Sequence, residues 1–242
     1  KFDSGLYVPQ IIQEINLGHR EGEKGDVIFP LKDKTHTISC YLGLKLCHQG
    51  PVAIFCGDKR SITTICTTIV DVYERGLPTP KPCDISDNNE LSKIAFLCNL
   101  HFSENHIFSQ AISLGVLPHS SAVPNGLRIS VEWAMDRKAA HLVICTSTLA
   151  QGVNLPIKYL LVSSTMQAGR RISTREFQNL IGRAGRSGYH TEGSIIFTDP
   201  KIYDKRHSWQ GRPKWIRTLK LLDFNNSEEC ISSLSEIIEP FK

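Results

Sequence analysis

An α/β fold, with a parallel sheet carrying helices on both faces, is what this sequence predicts. Three observations predict it. Short apolar runs recur along the chain: VAIFC at Val52–Cys56, HLVICT at His141–Thr146, YLLVSS at Tyr159–Ser164 and GSIIFT at Gly193–Thr198. Longer stretches of helical periodicity separate them. The runs are also continuously apolar at their centres rather than alternating, as strands buried on both faces are, and such strands belong to helix-covered parallel sheets.

The elements follow in order. Lys1 to Gly25 is polar and carries no strong signal, so it reads as a connector from a preceding domain. GDVIFPLKDKTHTISCYLGLKLC (Gly25–Cys47) reads as a short strand and a helix leading to VAIFC. SITTICTTIVDVYERG (Ser61–Gly76) reads as a helix ended by its glycine, because glycine tolerates the left-handed conformation that terminates helices. A loop rich in Pro, Asp and Asn, Leu77–Asn89, leads to helices over Glu90–Leu100 and Asn105–Leu114, then to the short run GVLPHS (Gly115–Ser120). A helix over Pro124–Lys138 precedes HLVICT, and Ser147–Gln151 is expected to make one helical turn. After YLLVSS comes a helix over Thr174–Leu180, then GSIIFT. Residues 201–242 read as a connector and helices, a C-terminal extension to a domain spanning about residues 26–200.

Bulk properties restrict the function without naming it. The 242 residues carry a net charge of +4, with 40% hydrophobic and 21% charged residues, ordinary values for a globular chain long enough to bury a real core. No apolar run approaches the roughly 20 residues that span a bilayer, so no membrane is expected and the cytoplasm or nucleus is the expected setting. Eight cysteines show no CxxC pair and no spacing that suggests zinc; several sit in apolar runs, as reduced core thiols do. No metal-ligand cluster is expected. Basic residues gather between Arg170 and Arg186 and between Lys201 and Lys220. In the second cluster Trp209 and Trp215 are expected to pack a helix against its domain rather than to stack on bases.

In open parallel sheets ligands bind beyond the carboxyl ends of the strands, where the following loops gather. GDKRS (Gly57–Ser61) and TSTLAQGVNLP (Thr146–Pro156) directly follow strands. FQNLIGRAGRSGYHTEG (Phe177–Gly193) instead runs a helix into a crowd of glycines around two arginines. Glycine disfavours a helix by roughly 1 kcal/mol relative to alanine, so this crowding needs a reason.

These residues carry a resemblance. TSTLAQGVNLP resembles motif V and QNLIGRAGRSG (Gln178–Gly188) resembles motif VI of the superfamily-2 DNA and RNA helicases, of the DEAD/DEAH-like kind. VAIFCGDKRS resembles motif IV. LPHSSAVPNGLRISVEWA (Leu117–Ala134) resembles the segment such helicases write as YHHAGLPxxxRxxVE. Order and spacing agree, and the resemblance covers about Asp26 to Thr198, the second of two RecA-like motor domains.

The resemblance implies an ATP-dependent helicase in a longer parent protein, with ATP and Mg2+ held mainly by a first RecA-like domain. Arg183 and Arg186 match arginine fingers, which neutralise charge on the transferring phosphoryl group and are worth about 10³ to 10⁵ in rate. Gly182 and Gly185 then make room for backbone near the nucleotide. Gly152 and Asn154 face nucleotide; so does the motif VI amide, for which Asn179 holds the family's position and Gln178 lies one residue earlier. Thr146 and Ser147 are implied contacts to a nucleic acid backbone, DNA or RNA. Lys59 and Arg60 either join them or form a solvated charged turn. Asp58 stands where the family places a hydroxyl and would repel a phosphate. His119 matches a family histidine and reads as structural.

The phosphate-gripping GxxxxGK[ST] loop is absent from these residues, and so is any Asp-Glu dipeptide for a magnesium and water site; GHREGEKGD (Gly18–Asp26) has the wrong spacing. The chain therefore reads as half a motor, inactive alone, whose partners are nucleic acid and the first domain. A double-strand translocase or a non-catalytic nucleic-acid-binding module derived from a helicase half fits the same motifs.

Overall fold

The computed structural model describes residues 12–146, 155–167, 169–182 and 193–223. Its centre is a five-stranded parallel sheet built from β3 (Val52–Phe55), β4 (Val116–His119), β5 (Leu142–Cys145), β6 (Tyr159–Val162) and β9 (Ser194–Phe197), in the order β4-β5-β3-β6-β9. Two minor antiparallel pairs flank it: β1 (Ile15–Asn16) with β2 (Ile28–Phe29), and β7 (Met166–Gln167) with β8 (Arg170–Arg171). The expected parallel sheet is thus present, and every apolar run that predicts a strand forms one.

The helices are α1 (Thr35–Leu46), α2 (Lys59–Glu74), α3 (Asn88–His101), α4 (Ile107–Ser113), α5 (Asn125–Asp136), α6 (Thr174–Ile181), α7 (Pro200–Asp204) and α8 (Arg212–Leu222). Two show their local causes clearly. Asp58 caps the N-terminus of α2 by accepting from the Ser61 amide at 2.9 Å. The helix then buries Ile62, Ile65, Cys66 and Ile69 at the spacing of one helical face. It stops before Gly76, which takes the left-handed conformation at φ 81°. α6 begins with a capping box in which Ser173 accepts from the Glu176 amide and Glu176 from the Ser173 amide.

The core lies on both sides of the sheet. Val52 through Cys56 and Leu142 through Cys145 are fully buried, which explains their unbroken hydrophobicity. Cys40, Cys47, Cys56, Cys66, Cys98 and Cys145 are buried with them. Burial pushes the thiols of Cys47 and Cys56 up to about 12, so they stay protonated and behave as small apolar groups. Cys230 lies outside the described residues.

The segment before β2 is tied down by charge. Arg75, whose side chain is almost wholly buried, pairs with Glu23 and with Asp71, and Arg20 reaches Asp71 and Glu74. Hydrogen bonds from Arg75 hold the Glu23 carboxyl down to about 2. Among the described residues no helix is long and apolar enough to cross a membrane.

Candidate functional site

The sheet register puts the carboxyl ends of all five strands on one line. His119 pairs with Cys145, Cys145 with Phe55, Phe55 with Val162, and Val162 with Phe197. The next residue of each strand therefore forms a rim: Ser120, Thr146, Cys56, Ser163 and Thr198. Backbone pairing extends into this rim. The amides of Thr146, Cys56, Ser163 and Thr198 donate to the carbonyls of His119, Cys145, Phe55 and Val162 at 2.7 to 3.2 Å.

This arrangement engages the backbone of Thr146. The Thr146 amide donates to the His119 carbonyl at 3.2 Å and the residue is only 7% exposed, so any contact it makes to a ligand is left to its hydroxyl. The sequence separates residues 119 and 146 by a helix, so only the adjacency of β4 and β5 makes the bond visible. Ser147, Gly152 and Asn154, and the expected turn over Ser147–Gln151, lie outside the described residues.

Lys59 and Arg60 open α2 and are exposed, immediately beyond the rim at β3. Asp58 beside them is the cap of α2, accepting from both the Ser61 amide and the Ser61 hydroxyl. Its carboxylate occupies the positive end of the helix dipole, where an anion would otherwise bind. The helix terminus at this loop is thus occupied by Asp58, and Lys59 and Arg60 are the exposed cations beside it.

Sequence reasoning missed the role of Gly57. A Cβ there would lie 2.8 Å from Ser164 Oγ and closer still to the Met166 carbonyl, so the loops after β3 and β6 meet without space for a side chain. Ser164 Oγ accepts from the Met166 amide at 3.0 Å, which fixes that second loop. Beyond it, the unpredicted β7–β8 pair exposes Arg170 and Arg171; Arg170 bonds Glu176 at 2.6 Å. The glutamate is held below the usual carboxylate range, first by the Ser173 amide and further by Arg170.

α6 places the motif VI amides apart. Phe177, Leu180 and Ile181 are buried, with Phe177 stacked on Phe197 of β9 at 5.8 Å between ring centroids. Gln178 turns toward α8, donating to the Asp223 carbonyl at 3.4 Å, whereas Asn179 is exposed. Gly182 closes the helix by donating to the Gln178 carbonyl at 2.8 Å. Arg183 and Arg186 follow it in sequence and lie outside the described residues.

His119 is buried and its Nε2 donates to Glu132 Oε1 on α5 at 2.7 Å. Burial, opposed by Glu132, holds the ring below its ordinary pKa, so it is neutral at pH 7. Arg128, the third polar member of the resembled segment, donates to Asn125 Oδ1 at 2.8 Å. The structural reading of His119 agrees with this geometry. It fixes α5 to β4 through its ring and β5 through its carbonyl. Trp209 departs from expectation: it is 90% exposed, while Trp215 packs edge-on against Tyr203 at 6.0 Å.

No family model matches the chain. It is 28% identical over 202 residues, 81% of its length, to the Helicase POLQ-like protein of Caenorhabditis elegans, and covers 20% of that protein. To the Hachiman protein HamB of Bacillus cereus it is 27% identical over 198 residues, again 81% of the chain and 17% of the relative. A shorter stretch of 95 residues, 38% of the chain, is 36% identical to the ATP-dependent DNA helicase Hel308 of Aeropyrum pernix and covers 13% of it. The chain thus spans about a fifth or less of the length of these relatives. A match over 81% of 242 residues necessarily takes in Val52–Gly188, and with it all four resembled motifs.

Proposed function

We propose that this chain, similar over 81% of its length to a named helicase, is the second, C-terminal RecA-like motor domain of a superfamily-2 helicase and so one half of an ATP-dependent nucleic-acid motor. Arg183 and Arg186 reach an ATP and Mg2+ site that a first RecA-like domain of the parent completes. They meet the charge that develops on the transferring phosphoryl group. Gly152, Asn154 and the motif VI amide border the same nucleotide. Asn179 is the better candidate for that amide, being exposed while Gln178 is engaged with Asp223. The loops after β3 and β5, with Lys59, Arg60, Thr146 and Ser147, form part of the track for a nucleic acid backbone.

One observation carries this reading above the others: the similarity to named helicases runs through motifs IV, V and VI together, in a fold whose register gathers the loops after β3, β5 and β6 at one rim. Mg2+, held mainly by the first domain, would supply charge neutralisation at the nucleotide phosphates. What these residues add is position. The His119 carbonyl holds the start of motif V, Asp58 orders the start of α2, and the Ser173–Glu176 box sets the helix that leads into Gly182.

The experiment is hydrolysis by the parent protein with Arg183→Ala and Arg186→Ala. An arginine acting on transition-state charge lowers kcat by about 10³-fold or more while nucleotide affinity changes far less. Near-normal hydrolysis in a variant that melts like wild type removes the arginine fingers from the account.

A further inference from the structure

Resting on the nucleic-acid reading above, we propose that the turn joining α7 to α8 is a second, base-stacking contact for single-stranded nucleic acid, outside the helicase motifs. Trp209 is its platform, and Arg206, Arg212 and Arg217 are its phosphate contacts.

Tryptophans bury most of their surface in ordinary folds, yet Trp209 is 90% exposed. The backbone that presents it is nevertheless fixed. The Ser208 hydroxyl donates to the Lys205 carbonyl at 2.8 Å and accepts from the Gly211 amide at 3.0 Å, and the Arg212 amide donates to the Ser208 carbonyl at 2.9 Å. Gly211 lies so close to the Lys205 carbonyl that a Cβ has no room. An indole held out by a tight turn loses little backbone freedom when a flat partner lands on it.

The charge around it is mostly basic, although Asp204 borders the indole together with Lys205. Residues 201–220 hold seven lysines and arginines against Asp204 alone. Lys214 is neutralised by Asp199, but Arg206, Arg212 and Arg217 have no carboxylate at ion-pair distance among the described residues. Arg206 lies over the Tyr203 ring at 3.6 Å to the centroid and donates to the Tyr203 carbonyl at 2.9 Å, which orients its guanidinium. Arg206, His207, Arg212 and Trp215 line a surface cleft of about 460 Å³. Cations beside an exposed aromatic ring form the combination that binds single strands without regard to sequence.

Position connects this patch to the motor. A second cleft, about 360 Å³, runs between Ser163–Met166 at the rim and Gln210, Lys214 and Arg217. The turn and the loop after β6 therefore border one cleft. An acidic peptide shares the attraction to the arginines but has no need of the indole face, which favours nucleic acid.

The test is fluorescence anisotropy of a labelled short oligothymidylate and of a sugar-phosphate strand of equal length lacking bases, each titrated with the whole chain. Base–aromatic stacking of roughly 1 to 3 kcal/mol corresponds to about 5- to 150-fold in affinity. Trp209→Ala is expected to weaken oligothymidylate binding by about tenfold or more, Trp209→Phe to restore most of it, and the baseless strand to be indifferent to both. Arg212→Ala is expected to weaken both strands and flatten the salt dependence. A Trp209→Ala effect below twofold on oligothymidylate, or an equal loss on the baseless strand as a charge-only site for acidic chains gives, overturns the proposal. If Lys59→Ala and Arg60→Ala weaken binding while Trp209→Ala does not, the stacking site alone fails. An unaltered chain that binds neither strand removes the nucleic-acid reading along with it.

Discussion

Acidification between pH 7.5 and 5.5 should destabilise this fold through His119, and the structure sets both sign and ceiling. Burial holds the ring below its ordinary pKa in the folded chain. On unfolding, the imidazole returns to a value near 6.5. Below that pH the unfolded chain takes up a proton that the folded chain refuses, so the stabilisation present above about 6.5 declines as pH falls toward the folded pKa. A histidine that stays fully neutral in the fold contributes at most about 1.4 kcal/mol of loss by pH 5.5. His36 and His141 are lowered by burial in the same direction and add to the slope, by less because they are more solvated. The carboxylates held low in the fold, such as Glu23 at about 2, stay charged throughout this window and leave the slope to the histidines. The assay is urea unfolding at pH 7.5, 6.5 and 5.5. His119→Gln keeps a donor toward Glu132, so it should cost about 1 kcal/mol at pH 7.5 and flatten the slope. Glu132→Gln removes the group that raises the ring's pKa and should extend the acid loss to lower pH. Equal slopes for wild type and His119→Gln refute the reasoning.

Two further outcomes are expected. Gly57→Ala should destabilise the chain by about 1 to 3 kcal/mol, because its Cβ overlaps the Ser164 hydroxyl and the Met166 carbonyl; an unchanged thermal melt counts against the contact. The chain by itself should release no phosphate from saturating ATP above buffer, with or without nucleic acid, since its residues contain no GxxxxGK[ST] loop. Sustained turnover abolished by Arg183→Ala would show a complete nucleotide site within these 242 residues.

What was legible in the sequence follows from how each element is stabilised. β3, β5, β6 and β9 are read from their apolar runs because burial on both faces leaves no polar alternation. The end of α2 is read from Gly76, whose left-handed backbone excludes most side chains. The β7–β8 pair is not legible, since two-residue strands held by backbone bonds impose no periodicity. The use of the Thr146 amide and the exclusion of a side chain at Gly57 depend on which strands are neighbours, and spacing along the chain carries no record of that order. Trp209 misleads for a related reason. Its composition suggests helix packing, whereas the bonds of Ser208 and the close approach of Gly211 hold it outward.

The strand order also separates the two ligands this motor half is proposed to serve. β5 and β3 are neighbours and carry the start of motif V and the Lys59–Arg60 turn, the residues proposed for nucleic acid. β6 and β9 lie on the other side of β3, and α6, leading to the arginines, packs against β9 through Phe177 and Phe197. The contact of Gly57 with the loop after β6 crosses from one set to the other. If that contact transmits strand binding to the nucleotide side, Gly57→Ala in the parent protein should reduce the stimulation of hydrolysis by nucleic acid while leaving the unstimulated rate near wild type. Measurement belongs well below the variant's melting temperature, where the destabilisation of about 1 to 3 kcal/mol leaves the fold intact. A proportional fall in both rates would mean that Gly57 serves stability alone, and that communication between the two ligands runs by another route.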